Sequence, residues 1–339
     1  MTLVTLAAEL GVSRQTISNV LNAPSRVKEE TRVRVVEAIA RSGYRPNSAA
    51  RQLRNRTSMN LGMRLRPAAS DGVNGAVLDG FLHGLTEAAQ DRGYRLTLFC
   101  ADTDEQEIHR YEELLSVADL DGFVLTSTNR DDQRTVWLTE HEVPFVTFGR
   151  PWNTAGKPVL SQHSWVDVDG RSGVREATEH LLAQGHQQIA FLGWPAGSGV
   201  GDDRWMGWVE AMTAAGIPDG WSALRCAGDD SVPAGSTGAA ELLGRGATSF
   251  ICASDSLALG ASAYLWQSHH PDAAASVIGF DNTPVAAAVG VSSISQLVRA
   301  AAREVIRLML RQLQEPGGRP EPVLLAPKLE LRDLQRFTQ

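Results

Sequence analysis

The sequence has only three cysteines among its 339 residues, Cys100, Cys226 and Cys252, and none of them stands in a CxxC pair. An odd number of widely separated cysteines does not build a disulfide framework or a cysteine-based zinc site. It is typical of single thiols in a reducing compartment. The sequence therefore predicts a cytoplasmic protein without a bound metal.

Long apolar stretches are also missing. No run of residues approaches the ~18 consecutive apolar residues that a membrane-spanning helix needs. The start of the sequence, MTLVTLAAELGVSRQ, lacks the basic first part of a secretory signal peptide and carries Glu9 within its apolar part. We therefore expect neither export nor a membrane partner.

Several catalytic signatures are absent as well, since the chain has no GxxxxGK[ST], HExxH or GxSxG motif. The stretch GSGVGDDR (residues 197–204) approaches the dinucleotide signature GxGxxG, but Asp202 stands where the third glycine is needed. Asp202 and Asp203 would also repel a pyrophosphate. The sequence therefore argues against a kinase, a zinc protease or a hydrolase, and predicts no cofactor.

Charge is distributed unevenly along the chain. Residues 1–57 hold ten Lys and Arg against four acidic residues, whereas the remaining residues hold 22 basic against 35 acidic ones. A small basic region attached to a large acidic one is typical of a polyanion-binding module. Charge alone fits a solvated helical surface equally well, so the motifs must decide.

The basic region contains three helical patterns. Residues 3–10 predict a first helix, with Thr2 as its N-cap and Gly11 as its end. Ser13 caps a second helix over residues 14–22, whose inward residues are Ile17, Val20 and Leu21. A third helix is predicted from Glu29 to Ser42, with an inner face formed by Val33, Val36, Ile39 and Ala40.

The first two helices, joined by a turn that contains Gly11, predict a helix-turn-helix whose second helix lies in the major groove of DNA. Arg14 suits the O6 and N7 acceptors of guanine, and Gln15 and Asn19 can pair with adenine. We expect contacts to phosphates from Thr2, Ser13, Thr16, Ser18, Asn22, Tyr44 and Asn47.

Three stretches of this region, TLAAELGVSRQTISNVLN, TRVRVVEAIARSGYRPN and AARQL, resemble the head of the LacI/GalR family of bacterial transcription repressors. The resemblance implies an all-α DNA-binding domain over residues 1–46 and a homodimer that reads a near-palindromic operator. It also implies a hinge helix and linker over residues 47–57, in which the helix folds only on DNA. Leu53 matches the family's leucine that enters the minor groove, where an apolar side chain unstacks a base step and bends the duplex.

The head departs from the family pattern at three positions. Thr5 stands where Asp is common, Lys28 stands where a capping Ser is common, and Asn19 stands where Arg is frequent. Since Asn19 is a predicted base-reading residue, its identity leaves the operator sequence open.

From Ser58 onward, apolar strand-like runs alternate with helical stretches. The predicted strands are LGMRL, YRLTLFCA, DGFVLTS, PFVTFGR, QIAFLGW, SFICAS and ASVIGFD. Repeated βαβ units predict an α/β fold of doubly wound parallel sheets, in which ligands bind beyond the carboxyl ends of the strands.

Charged and hydroxyl groups follow four of these strands, namely Arg150, Asp202, Asp203, Arg204, Ser254, Asp255 and Asp281. Apolar rings for stacking are available nearby from Trp152, Trp194, Trp205 and Trp208. Carboxylates, guanidinium groups and aromatic rings together suit a neutral, polyhydroxylated ligand such as a sugar. Any one of the carboxylates is explained equally well as a helix cap or a surface ion pair.

Residues 58–339 also resemble the two-lobed, periplasmic-binding-protein-like effector domain of the LacI/GalR family. This resemblance implies that Arg150, Arg204, Ser254, Asp255 and Asp281 contact sugar hydroxyls, and that Asp230 and Gln296 line the same pocket. It implies one lobe of about 58–164 with 297–322 and a second of about 165–296 with 323–339. The chain would cross between them near Trp165, Gln296 and Val323.

Two stretches, HSWVDVDG and GWPAGSGVGDDR, resemble an actinobacterial subgroup that responds to cellobiose or other glucosides. The sequence thus favours a DNA-binding transcription regulator, most simply a repressor, controlled allosterically by a small carbohydrate. The alternative is a cytoplasmic sugar-binding or sugar-processing protein whose basic head is incidental. The missing export signal argues against a transport receptor, and the missing motifs argue against an enzyme.

Overall fold

The computed structural model describes residues 2–22, 24–42, 57–65, 73, 75–117, 120–152, 162–217, 220–268 and 277–332. The chain divides into two compact units, Met1–Ser58 and Met59–Gln339, here called the head and the body. In the described part of the chain, no helix is long and apolar enough to cross a membrane. Tyr44, Asn47, Leu53 and all but the last residue of the predicted hinge over residues 47–57 lie outside the described residues.

The head contains the three helices that the sequence predicts. They are α1 (Leu3–Leu10), α2 (Arg14–Asn22) and α3 (Glu29–Ser42), with a short 3-10 helix, Pro24–Arg26, between the last two.

The local chemistry of the turn residues sets the ends of α1 and the start of α2. Thr2 Oγ1 accepts a hydrogen bond from Thr5 N, and Thr5 Oγ1 accepts one from Thr2 N, so two free backbone donors are satisfied reciprocally. Gly11 ends α1 with φ +64°, a conformation that glycine adopts without steric cost. Ser13 Oγ accepts a hydrogen bond from Thr16 N at the start of α2.

The core of the head has buried side chains from all three helices: Leu6, Ala7, Ile17, Val20, Val35 and Ala38. Of the inner face predicted for α3, Ile39 packs against this core, but Val33 and Val36 are 44% and 52% exposed, so the prediction is wrong at those two positions. Valines at three neighbouring positions of α3 let the helical period fit two different faces. Packing against α1 and α2 selects the face that carries Val35 and Ala38.

The body contains two six-stranded sheets, one in each lobe. The first lobe has β1 (Asn60–Leu65), β2 (Arg95–Cys100), β3 (Gly122–Leu125), β4 (Phe145–Phe148), β5 (Trp165–Val168) and β11 (Pro322–Leu325). The second lobe has β6 (Ile189–Gly193), β7 (Arg225–Ala227), β8 (Ser249–Cys252), β9 (Val277–Asp281), β10 (Ser292–Ser295) and β12 (Lys328–Glu330). The orders are β11-β5-β4-β3-β1-β2 and β12-β10-β9-β8-β6-β7, with every described pairing parallel except β10 with β12.

Helices connect the strands, as the repeated βαβ pattern predicts. In the first lobe these are α4 (Gly75–Gln90), α5 (Asp104–Val117), α6 (Gln133–Glu140) and α12 (Val298–Gln314). In the second lobe they are α7 (Gly170–Ala183), α8 (Gly199–Ala214), α9 (Val232–Gly244), α10 (Asp255–Gln267) and α11 (Pro284–Ala288), together with a 3-10 turn, Trp221–Leu224.

Helices cover both faces of the first sheet. Successive side chains of a strand point to opposite faces, and in β3 Val124 packs in a cluster with residues of α4 and α12, whereas Phe123 packs with Tyr111 of α5 and Leu138 of α6. The expected doubly wound α/β architecture is therefore confirmed, with the carboxyl ends of the parallel strands left free for a site.

The chain crosses between the lobes three times, but two crossings differ from the expected positions. β5 pairs with β4 and β11 in the first sheet, so the first crossing follows Val168 rather than lying near Trp165. The third follows Leu325 rather than lying near Val323. The predicted lobe limits, 58–164 with 297–322 and 165–296 with 323–339, were wrong at these two points because each four-residue strand completes the first sheet before the chain leaves it. The second crossing lies at Gln296, as expected.

Candidate functional site

A cavity of about 680 Å³ lies between the two lobes of the body. Its walls come from the segments that follow β3, β4, β6, β7 and β10, from the end of β5, and from the first turns of α4 and α8. These segments stand at the carboxyl ends of parallel strands, where a doubly wound fold places its ligands. The cavity volume is within the range typical of small-molecule sites.

Five of the residues predicted to bind an effector line this cavity. Arg150 and Trp152 come from the first lobe, Arg204 and Asp230 come from the second lobe, and Gln296 lies at the second crossing. The place of this cavity was therefore predicted correctly from two sources, the expectation that ligands bind beyond the carboxyl ends of parallel strands and the family resemblance.

Three other predicted residues, Ser254, Asp255 and Asp281, do not line the cavity. Their side chains make hydrogen bonds within the second lobe, and Ser254 and Asp281 bond to the lining residues Asp230 and Gln296. Asp255 is fully buried and accepts hydrogen bonds from Thr283 N and Ser293 Oγ, both at 2.6 Å. Ser254 caps α10 and donates a hydrogen bond to Asp230. The position of a residue after a strand does not determine whether its side chain points into the cleft or caps the next helix.

Asp281, the third of these residues, forms a buried cluster with two lining residues. It accepts a hydrogen bond from Gln296 Nε2, and its Oδ1 lies 4.0 Å from Arg204 Nη1. Burial raises the pKa of Asp281 to about 7, although the Arg204 guanidinium acts in the opposite direction. Arg204 lies over the ring of Phe280, 3.6 Å from its centroid, and donates to Ala253 O at 2.5 Å.

Some buried N–H groups on lining residues have no acceptor within the described part of the protein, among them Nε1 of Trp152, Nε1 of Trp194 and Nε of Arg204. Leaving a buried donor unpaired costs about 1–3 kcal/mol. A ligand that carries several oxygen acceptors would therefore gain affinity by pairing with these groups.

The charged groups at the first-lobe side of the cavity are already paired. Arg150 Nε lies 2.5 Å from Asp167 Oδ2, and its Nη2 donates to Val168 O at 3.1 Å and to Asp203 Oδ2 at 3.4 Å. The guanidinium also lies 5.0 Å from the ring centroid of Trp152. Because cations and carboxylates neutralise one another here, the wall suits an uncharged polar ligand.

In the head, the predicted base-reading residues share the outer side of α2. Arg14 and Gln15 are exposed, and Gln15 Nε2 donates to Asn19 Oδ1 at 2.9 Å. Among the predicted phosphate contacts, Thr2 and Ser13 are exposed, and Thr16 and Ser18 are half-buried. The side chain of Asn22 lies outside the described atoms.

Comparisons with known proteins agree with both units. Residues 2–47 match the family described as "Bacterial regulatory proteins, lacI family", and residues 78–302 match "Periplasmic binding proteins and sugar binding domain of LacI family". The chain is also 31% identical to the HTH-type transcriptional regulator CelR of Thermobifida fusca, over 98% of this chain and 97% of that protein. The chain belongs to the LacI family.

Solved structures of LacI-family regulators resemble the whole chain. A transcriptional regulator CelR–cellobiose complex is 30% identical with a TM-score of 0.70, covering 98% of this chain and 99% of that one. The lac repressor dimer bound to operator and the anti-inducer ONPF is 25% identical with a TM-score of 0.78, covering 98% of both chains. The protein is thus a DNA-binding transcription regulator with a sugar-binding type of effector domain.

Two tryptophans expected near the cavity of this LacI-family protein lie elsewhere. Trp208 is 1% exposed, donates to Ile189 O at 3.3 Å and belongs to the core of the second lobe. The ring of Trp205 lies 4.0 Å below the guanidinium carbon of Arg225. Trp205 follows Arg204 directly and so lies about 100° around α8 from it, whereas Trp208 lies one turn further along the same face, within the core of the lobe.

Two charged residues that line the cleft, Arg130 and Asp167, were not predicted from the sequence. Arg130 follows β3, so the strand-end rule could have found it, but the run STNR gave no reason to prefer it to its neighbours. Asp167 lies within β5, a strand too short to be recognised from its alternation. Asp202, predicted at the cleft, pairs with Arg130 at 2.5 Å without lining the cavity.

Proposed function

We propose that this protein is a cytoplasmic repressor of sugar-utilisation genes, without catalytic activity. In this proposal a homodimer binds a near-palindromic operator through its two heads, and cellobiose or another glucoside binds the cleft of the body. The observation that carries it is the cavity of about 680 Å³, in which buried unpaired N–H donors and tryptophan rings accompany charges that are already paired.

This combination supports a neutral carbohydrate more than a charged metabolite. Sugar hydroxyls are acceptors as well as donors, so they can pair with the free N–H groups of Trp152, Trp194 and Arg204. The carboxylate of Asp230 is a natural acceptor for the hydroxyl donors. Similarity to the CelR–cellobiose complex over nearly the whole chain supports a glucoside as the first candidate.

For the head, we propose that Arg14, Gln15 and Asn19 read base edges and that the hydroxyl residues around them contact phosphates. The exposure of Arg14 and Gln15 supports this assignment. Leu53 would insert into the minor groove at the centre of the operator, and residues 47–57 would fold on DNA. Similarity to the operator-bound lac repressor dimer supports the same arrangement for two copies of this chain.

Control by the effector follows from a difference in affinity. A sugar enclosed by both lobes favours one relative orientation of the lobes, and it shifts their balance only by its preference for that orientation. We propose that this orientation sets the spacing of the two hinge segments in the dimer, and hence the affinity for the operator.

Two measurements test the proposal. Thermal-shift measurements with cellobiose and a panel of other sugars should show raised stability with at least one glucoside, because bound ligand stabilises the native state. Gel shifts with a palindromic DNA selected from a random library should show a complex that weakens as salt rises and that responds to the active sugar. A sugar response without any salt-sensitive DNA complex would instead favour the alternative, a sugar-binding protein that does not bind an operator.

A further inference from the structure

The glycine-rich start of α8 contacts the first lobe at three points across the cleft. Arg130 Nη2 lies 2.5 Å from Asp202 Oδ2, and Arg150 Nη2 lies 3.4 Å from Asp203 Oδ2. The third contact is the indole of Trp152 against Gly199, where an added Cβ would lie 2.3 Å from the indole Cγ. We call these six residues, Arg130, Arg150, Trp152, Gly199, Asp202 and Asp203, the interlobe clasp.

The first-lobe side of the clasp is held in place before it meets the second lobe. Arg130 and Trp152 are neighbours through a parallel β-bridge, and Asp131 N donates to Trp152 O at 3.2 Å. Asp167 anchors the Nε edge of Arg150 and leaves Nη2 directed at Asp203. The two cations and the ring thus reach α8 as one set.

The second-lobe side is equally fixed. Ser198 caps α8 by accepting a hydrogen bond from Gly201 N at 3.1 Å, and Gly197 N donates to Asp202 Oδ2 at 3.2 Å. The stretch that superficially resembles a dinucleotide-binding loop therefore presents two adjacent carboxylates and one bare backbone position to the opposite lobe. Little side-chain entropy remains to be lost when the clasp forms.

The two ion pairs exist only when the lobes are together, because their partners belong to different lobes. The Arg130 and Asp202 side chains are 26% and 22% exposed, so their attraction is screened less than that of a surface pair. The Asp203 and Arg150 side chains are more buried, and burial raises the pKa of Asp203 while Arg150 lowers it. Separating the lobes removes each carboxylate from its cation.

We propose that the interlobe clasp sets the balance between the open and closed cleft even when no effector is bound, and that Asp202, through its ion pair with Arg130, is a positioning residue for effector binding. Asp202 does not line the cavity, yet a ligand enclosed by both lobes binds more weakly when the closed arrangement is less populated. The affinity for an uncharged sugar therefore depends on salt and on Asp202, a carboxylate that lies outside the cavity lining.

The first experiment measures lobe closure without any sugar. Spin labels are placed on the full-length dimer at Glu105→Cys on α5 and Thr237→Cys on α9, both exposed, in a background of Cys100→Ser and Cys226→Ser. We expect Arg130→Gln and Asp202→Asn each to move the distance distribution between labels toward longer distances, and their combination to add little. High salt should move the parent protein in the same direction.

Controls separate the clasp from general damage to the fold. The charge swap Arg130→Glu with Asp202→Arg should restore the short distances, which a merely structural role of either residue would not allow. Glu210→Gln breaks a partly exposed ion pair with Arg171 inside the second lobe and should leave the distances unchanged. Identical distributions in the parent protein and in both single variants, with unchanged melting temperatures, would overturn the proposal.

The second readout is the dissociation constant for cellobiose by calorimetry, and only this part rests on the proposed function. We expect Asp202→Asn to weaken cellobiose binding about three- to ten-fold, as for neighbouring residues that act through each other, and Glu210→Gln to leave it unchanged. If the distances between the spin labels change in the clasp variants while cellobiose does not bind the parent protein, the proposal of the interlobe clasp stands and cellobiose is rejected as the effector. Cellobiose binding that is unaffected by Asp202→Asn, with unresponsive distances, would retain the sugar and reject the clasp.

Discussion

At the scale of single residues, Asp281 links the wall of the cleft to proton binding. Its pKa in the folded protein, about 7, is above the ordinary value of 3.8, so the folded state binds this proton more tightly than the unfolded chain does. Between about pH 4 and pH 7 the native state therefore holds the extra proton, and stability falls as the pH rises through this window.

We predict that Asp281→Asn flattens this part of the stability profile, because an amide can still pair with Gln296 but does not titrate. The difference between the two profiles over the window should be roughly 3 kcal/mol. Urea unfolding at a series of pH values measures it. Parallel profiles for the parent protein and Asp281→Asn would mean that this carboxyl group is not the one that titrates.

A second prediction concerns Trp194, which lines the cavity and carries an unpaired buried N–H. Trp194→Ala removes a stacking surface and a donor, and we expect cellobiose binding to weaken about 10- to 100-fold. Operator binding without sugar should be retained. Trp266→Ala, at a 45% exposed tryptophan on α10, is the matched control and should leave calorimetric affinity for cellobiose unchanged.

At the scale of elements, α2 carries the prediction for DNA. Arg14 is exposed at the first position of this helix, so Arg14→Ala should relax base preference at one position in each half-site, with a cost of about 1–3 kcal/mol against the preferred base. Arg26→Ala, at another exposed basic residue of the head, should weaken all sequences alike. Binding to a set of single-base operator variants separates the two. Uniform weakening by Arg14→Ala would make Arg14 a phosphate contact.

The elements also show how far the sequence alone could go. All seven strands predicted from long apolar runs are present, whereas five strands of three or four residues were missed, namely β5, β7, β10, β11 and β12. Strands β3, β4 and β8 are just as short but belong to mainly apolar, buried runs, whereas missed strands such as β5, β10 and β12 contain polar residues and pair with partners distant in the sequence. Because β5 was not predicted, one lobe boundary was placed too early in the chain, and Asp167 was not recognised as a lining residue.

For the site, chain position indicated the correct edge of each sheet but not the direction of each side chain. Arg150 and Arg204 reach the cavity, whereas Ser254 turns back to cap α10 and Asp255 turns into the second lobe. Helix capping and buried hydrogen bonds compete for the same residue types as ligand binding. Sequence pattern does not resolve that competition.

At the scale of the whole molecule, the proposed hinge is predicted to connect the two functions. Leu53→Ala should weaken operator binding about ten-fold or more, because unstacking a base step for an apolar side chain supports the bent DNA. The affinity for cellobiose in the absence of DNA should not change. Gel shifts and calorimetry on the same preparation measure both quantities. Undiminished operator affinity would remove the minor-groove insertion from the proposal.

Coupling between the two sites must be reciprocal. If cellobiose changes operator affinity by some factor, then saturating operator DNA must change cellobiose affinity by the same factor, because both paths connect the same states. Calorimetric titration of cellobiose into the free dimer and into the DNA complex gives this ratio. Unequal factors would indicate an additional species, such as a second sugar site or a change in oligomeric state.

The order of the elements along the chain determines when the first lobe can be completed during translation. Helix α12 and strand β11 belong to the first lobe, yet they are made only after β6 to β10 of the second lobe. Until then Phe81 and Leu85 of α4 lack the α12 side chains against which they pack. During much of its translation the nascent chain therefore exposes an apolar face of α4. We expect this face to bind chaperones, and the first lobe to complete its folding only after α12 and β11 have been synthesised.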